Sequence, residues 1–160
     1  MTLNLLKSLY EEQLKLYNLN DITLSNNYKY LNENCINSLL FIIYYLELNG
    51  HTLTHISLND FKVYEQYLFL INDKNIVKLE NNEYIYSSSK KENIEFIPKG
   101  ILKKNNKNML YKSVGLFFYY LLTHKIKTKL TENDLNVLYY SKPYFFIKNT
   151  MNNDPCLIYI

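Results

Sequence analysis

Alanine and arginine are absent from this chain of 160 residues. Without arginine, all 18 cations are lysines, and no planar guanidinium fork is available to grip a phosphate or carboxylate with two parallel hydrogen bonds. Glycine occurs only at Gly50, Gly100 and Gly115, which excludes a glycine-rich phosphate loop or a backbone nest built from clustered glycines. The two cysteines, Cys35 and Cys156, are far apart and form no C-x-x-C pair. That spacing predicts neither a disulfide framework nor a zinc site, and two free thiols suit a reducing compartment. The longest apolar run, "SLLFIIYYLEL", is too short to span a bilayer. The opening "MTLNLLKSLYEEQLKLY" carries acids by residue 11 and no small-residue cleavage site, so it does not read as a secretory signal. A soluble, intracellular and cytoplasmic protein is expected.

What remains is a globular composition, 48% hydrophobic and 21% charged, of a length that suits a single domain over 1–160, with an N-terminal helix and loop over 1–31 and a core over 32–160. A net charge of +3 and a pI near 8.6 are too mild to predict a nucleic-acid partner. The abundance of Asn, Lys, Ile and Tyr is the signature of an AT-rich genome, such as that of a large DNA virus or a compact intracellular parasite.

Leu3, Leu6, Leu9, Tyr10, Leu14 and Tyr17 recur at helical spacing and predict an amphipathic helix facing inward. Residues 19–31 read as a loop. The stretch "ENCINSLLFIIYYLEL" is apolar on nearly every side and is stopped by Asn49-Gly50, so it predicts a central buried helix. "YLFLI" and "NIVKL" are β-prone runs joined by "NDK", the composition of a hairpin; a second pairing of "NIVKLENNEYIY" turns at Asn81-Asn82. Residues 87–108 read as a polar, irregular connector. "MLYKSVGLFFYYLLTH" predicts a second apolar helix, Thr131 with Asp134 a capping box, and Pro143 the first turn of a last helix. The expected fold class is mainly α with one small β-hairpin.

In that order and at those spacings the elements resemble the helical C-terminal lobe of the eukaryotic protein kinases, from about residue 33 to the end. "YYLELNGHTLTHISLND" is similar to a buried helix followed by the catalytic loop, whose pattern is H-R-D-L with an Asn further on. "YLFLINDKNIVKL" resembles the hairpin leading to the D-F-G metal motif, "FIPKGIL" the A-P-E segment, and "YKSVGLFFYYLLTHK" the lobe's organising helix, with Ser113, Val114 and Gly115 at its S-L-G-like positions. "NDPCLIYI" resembles the D-P-x-x-R turn. The resemblance implies a truncated, degenerate site. His55 stands at the His of H-R-D, but Ile56 and Ser57 replace the Arg and the proton-accepting Asp. Lys62 falls where the metal-holding Asn belongs, and Asn81 near the metal-binding Asp, so anionic ligands for Mg²⁺ are missing. Lys99 replaces the Glu of A-P-E and Ile158 the Arg of D-P-x-x-R; in kinases those two form a buried ion pair, and losing both leaves no orphaned charge, where losing one costs several kcal/mol. Leu110 stands where kinases place an Asp that braces the catalytic loop. Residues 1–32 contain no glycine, hence no counterpart of the loop that covers ATP phosphates. The resemblance therefore implies a pseudokinase-like scaffold or decoy that binds a protein partner. It implies no enzyme, no ATP, no cofactor, no metal and no membrane, and in a virus it would act on host machinery.

Other patterns in the sequence compete with it. His51 and His55 are spaced i, i+4, a zinc-site geometry on a helix, but the segment reads as a loop and a third ligand is lacking, so His55 is expected to be a packed core histidine bonded to backbone. Ser57, His55 and Asp60 have the residue types of a hydrolase triad without a nucleophile elbow, and read instead as a solvent-facing loop. Lys90, Lys91, Lys99, Lys103, Lys104, Lys107 and Lys112 form either a solvated connector or a patch for an acidic partner or RNA. Exposed tyrosines would favour an interface, with the first helix as one candidate surface. A winged-helix nucleic-acid binder is the principal rival, with "NDFKVYEQYLFLIND" as its recognition helix. That face carries Asp60, Glu65 and Asp73 and suits phosphates poorly. An all-helical, Bcl-2-like viral inhibitor is the third reading.

Overall fold

The leucine stripe at the start of the chain winds into α1 (Thr2–Leu16), with Leu6 and Leu9 buried. Polar Gln13 is fully buried on the same side, whereas Leu14 is only half-buried. The computed structural model of the chain describes residues 2–81, 83–85, 95–97, 104–138 and 142–151. Past α1, Asn18 and Asp21 adopt left-handed backbone, with φ of 54° and 53°, a conformation that Asn and Asp tolerate better than most side chains. Ser25 then pairs with Val63 as an isolated bridge, and two 3-10 turns lead to α2 (Ile36–Leu48).

Helix α2 buries Ile36, Leu39, Ile42, Ile43 and Leu46. Its sequence predicts burial on nearly every side, but Tyr44 is 55% and Leu48 65% exposed. Its end follows the expected logic. Asn49 caps it and Gly50 takes φ +75°, where a Cβ is disfavoured.

The expected fold class, mainly α with one hairpin, is overturned. Among the described residues, five α-helices are interleaved with eight short strands in four two-stranded antiparallel pairs, a mixed α/β architecture. Strand β1 (His51–Leu53) pairs with β5 (Ile76–Lys78), β2 (Ile56–Ser57) with β7 (Glu95–Phe96), β3 (Phe61–Tyr64) with β4 (Tyr67–Leu70), and β6 (Glu83–Ile85) with β8 (Lys104–Asn106). Both predicted β-prone runs are strands, but they do not pair with each other, nor does β5 pair with β6 across Asn81-Asn82. The alternation of side chains gives the reason. In the β3–β4 register Phe61, Val63, Leu68 and Leu70 share one face and are all buried, whereas β5 contributes only Ile76 to the core. Joining β4 to β3 buries more apolar surface than joining it to β5. The β7 and β8 strands and the start of the next helix, at Lys107, likewise replace part of the irregular connector expected over 87–108; residues 87–94 and 98–103 lie outside the described residues.

Helix α3 (Lys107–Thr123) runs through the core, and Thr131 opens the single-turn α4 (Glu132–Leu135) with both bonds of a capping box. Helix α5 (Lys142–Met151) has Pro143 in its first turn and packs closely on α3. A Cβ placed at Gly115 would come within 2.1 Å of Thr150 Oγ1, so glycine permits that close approach. One contiguous cluster of buried apolar residues runs from Leu6 through α2, the strand pairs and α3 to Ile147.

Candidate functional site

The loop that follows α2 is held between two antiparallel pairings. Its start is fixed by β1 against β5, by Leu79 N–H donating to Gly50 O (2.9 Å) and by Thr54 N–H donating to Asn75 O (3.0 Å). Its middle, Ile56–Ser57, lies against Glu95–Phe96. Beneath it sits α3, where Ser113 Oγ accepts from Ile56 N–H at 2.8 Å and donates to Phe96 O. One buried hydroxyl thus joins the loop, β7 and α3. The Phe96 ring packs on Phe117 and Tyr120 of α3, with centroids 5.2 and 5.5 Å away.

The polar residues of the loop are inside the protein. His55 is 4%, Ser57 0% and Asp60 1% exposed, which corrects the expectation of a solvent-facing loop. His55 Nδ1 meets Thr54 Oγ1 at 3.0 Å. Ser57 Oγ finds no hydrogen-bond partner among the described residues, and no Ser57–His55 bond of the kind a triad needs is formed. Asp60 accepts from Asn75 Nδ2 through Oδ2 at 2.5 Å, while its Oδ1 is unpartnered among the described residues. The Asp60 carbonyl takes Ile71 N–H at 2.8 Å. Asp60 and Asn75 therefore clamp three segments together: the loop, the end of β4 and the turn before β5.

Burial pushes the Asp60 carboxyl above its ordinary 3.8, against smaller downward pulls from the Asn75 amide, Lys74, Asn72 and His55. A carboxyl raised in the folded state binds its proton more tightly there than in the unfolded chain. Its contribution to stability is complete below the unfolded value near 3.8 and is lost as pH rises through the folded one. Asp60→Asn is accordingly expected to be more stable than the wild type at pH 7, with the advantage shrinking to nothing below the unfolded carboxylate value. Urea melts of both proteins across that pH series measure the difference. A gap that widens on acidification would contradict this account.

The other residues singled out by sequence do not converge on this loop. Lys62 is half-buried on β3, opposite Phe69 and on the other face from Phe61 and Val63. Asn81 is exposed in a turn at φ 52°. His51 is half-buried, with Nδ1 2.7 Å from Asn49 O; it stands in a strand, so the i, i+4 helical geometry with His55 does not arise. Leu110 is fully buried in α3, one turn before Ser113. Lys99 and Ile158 lie outside the described residues, as do Lys90, Lys91 and Lys103 of the basic cluster. Sequence reasoning missed Ser113, Asn75 and Gln13 as organising residues. Ser113 was named only as part of the S-L-G-like match, without a role, and the signal for Gln13 was a polar residue inside an otherwise apolar stripe.

Among the described residues no group of three or more His, Cys, Asp or Glu side chains is placed to hold a metal ion. Burial pushes the Cys35 thiol up to about 12, which keeps it protonated and inert. No described helix is long and apolar enough to cross a membrane. Compared with protein families and with curated proteins, the chain matches none.

Proposed function

We propose that this chain is a non-catalytic, kinase-C-lobe-like module that binds another protein inside the cell, as a scaffold or decoy. The observation that carries the reading is the burial of Ser57: the residue that the resemblance sets at the position of the catalytic base is a neutral hydroxyl with no solvent exposure. A side chain closed off from solvent has no path to a dissolved substrate, and a hydroxyl at that site is no proton acceptor near neutral pH. Lys62, a cation at the position of a metal-holding Asn, would repel Mg²⁺. Three features support the scaffold half of the proposal. The loop following α2 is followed by a tight hairpin, its middle is paired to a later segment, and both are fastened to a buried helix by Ser113. The arrangement is maintained by hydrogen bonds and packing that do not depend on the missing charges.

The winged-helix rival loses support on one point. The residues it needs as a recognition helix form the β3–β4 hairpin, and a two-stranded ribbon with Phe61 and Val63 buried cannot present a helical face to a major groove. The eight strands count equally against an all-helical inhibitor.

ATP with Mg²⁺ tests the proposal, because a ligand that binds the native state raises its melting temperature and one that does not leaves it unchanged. The expected result is no shift at saturating nucleotide and no transfer of the γ-phosphate to a generic protein substrate. Stabilisation by ATP, or phosphotransfer above a no-protein control, would overturn it.

A further inference from the structure

The chain has a single Asn-Gly pair, Asn49-Gly50, and it lies where α2 gives way to β1. Glycine in the second place matters chemically. With no side chain on Gly50, its amide nitrogen is unobstructed toward the side-chain amide before it, and no heavy atom lies within 4 Å of where a Cβ would stand. Both residues are exposed, so water reaches the junction.

Three features of the native junction keep that nitrogen from the Asn49 side chain. Asn49 Nδ2 donates to Tyr45 O at 2.9 Å, which ties up the group that would leave. Gly50 N–H donates to Glu47 O at 3.0 Å, which ties up the group that would attack. Asn49 ψ is 17°, so the Gly50 nitrogen nearly eclipses the nitrogen of Asn49 itself and must rotate before it can meet Cγ. All three belong to the last turn of α2, and that turn is weakly built. It has no basic residue to oppose the negative end of the helix dipole and carries Glu47 there instead, and Leu48 is 65% exposed. Exposed helix ends of this kind open more readily than helix middles.

We propose that Asn49 is a site of spontaneous deamidation, gated by opening of the last turn of α2. When the turn opens, the Gly50 nitrogen gives its proton to solvent and bonds to Asn49 Cγ; the Cγ–Nδ2 bond breaks, and Nδ2 leaves as ammonia. Water then opens the resulting cyclic imide at one of its two carbonyls and yields aspartate or isoaspartate. The reaction consumes only water and runs one way. Either product sets a carboxylate at the negative end of α2 and takes the side-chain donor from Tyr45 O. Isoaspartate also adds a methylene to the main chain just ahead of the Gly50 carbonyl, which accepts from Leu79 N–H beside the β1–β5 pair. The modification thereby loosens the start of the loop that follows α2.

Mass-spectrometric peptide mapping of the full chain, incubated at neutral pH beside a synthetic peptide of residues 45–53, tests the proposal. Asn49 is expected to convert in both, roughly ten- to a thousandfold more slowly in the chain, because the turn must first open. Leu48→Lys puts a cation at the helix end and is expected to widen that gap by roughly two- to fivefold; the same change in the peptide corrects for any direct effect on the chemistry. Converted chain, separated by its added negative charge, is expected to exchange the Leu79 amide faster than unconverted chain. Conversion as fast as in the peptide, or a gap that Leu48→Lys leaves unchanged, overturns the gate. Conversion no faster than global unfolding, read from exchange of the buried α2 amides, overturns the site in the folded protein. Equal Leu79 exchange in both forms overturns the loosening.

Discussion

Replacing Ser113 with alanine is expected to lower the free energy of unfolding by about 2–4 kcal/mol. The substitution removes one small atom and leaves almost no cavity, so its effect is polar. Ile56 N–H loses its acceptor and Phe96 O its donor, in a place where Ser113 and Ile56 have no exposure to water. A buried group stripped of its partner costs about 1–3 kcal/mol, and here there are two. Helix propensity works weakly the other way, since alanine is preferred over serine in a helix interior by roughly half a kcal/mol, and the net remains strongly destabilising. Ser113→Thr keeps the hydroxyl and is expected to recover much of the loss if the extra methyl is accommodated. Urea denaturation with an unchanged m-value is the measurement. A loss below about 0.5 kcal/mol, the usual range of an inconsequential substitution, would mean that the loop is not fastened to α3 through this residue.

How far the sequence foretold these features depends on the range of the interaction involved. Local signals read well: the three-to-four residue spacing in α1, the Asn49-Gly50 stop of α2, and the Thr131–Asp134 box all act within a few residues of chain. Strand existence was legible at 67–70 and 76–78, but strand partnership was not, because it is decided by which pairing buries Phe61, Val63, Leu68 and Leu70 on one face. Strand β3 was hidden altogether, since "DFKVYEQ" was absorbed into a catalytic-loop alignment and four residues of alternation are too few to announce a strand. Helix α2 shows another limit. A segment apolar on every side cannot say which side its neighbours leave uncovered, and the answer, the face bearing Tyr44 and Leu48, is set by where β1 and β4 pack. The polar organisers were the least legible. Ser113, Asn75 and Gln13 each bond to backbone or side chains 15 or more residues away, and nothing in their neighbouring sequence points there.

Phe96→Ala probes the same junction from its apolar side and carries the largest expected loss, about 3–5 kcal/mol. The ring is 1% exposed and lies against Phe117 and Tyr120, so truncation opens a cavity between β7 and α3 and forfeits two aromatic contacts worth roughly 0.5–1.5 kcal/mol each. The pairing of Phe96 with Ile56 and the bond its carbonyl accepts from Ser113 use main-chain atoms that alanine retains, which separates the packing contribution from the polar one measured with Ser113→Ala. Phe96→Leu, which keeps most of the volume, is expected to lose no more than half as much. Because the two sites touch, their effects should not add: the double variant Ser113→Ala with Phe96→Ala is expected to fall short of the sum of the single losses by about 0.5–3 kcal/mol. Amide exchange at Ile56 and Ser57 reports the local consequence, since once β7 no longer anchors β2 these amides open ahead of the rest of the core. Additive losses, with the Ile56 and Ser57 amides as protected as before, would show that the loop holds its shape without the docked strand. The burial of Ser57 would then need a cause other than the clamp between β7 and α3.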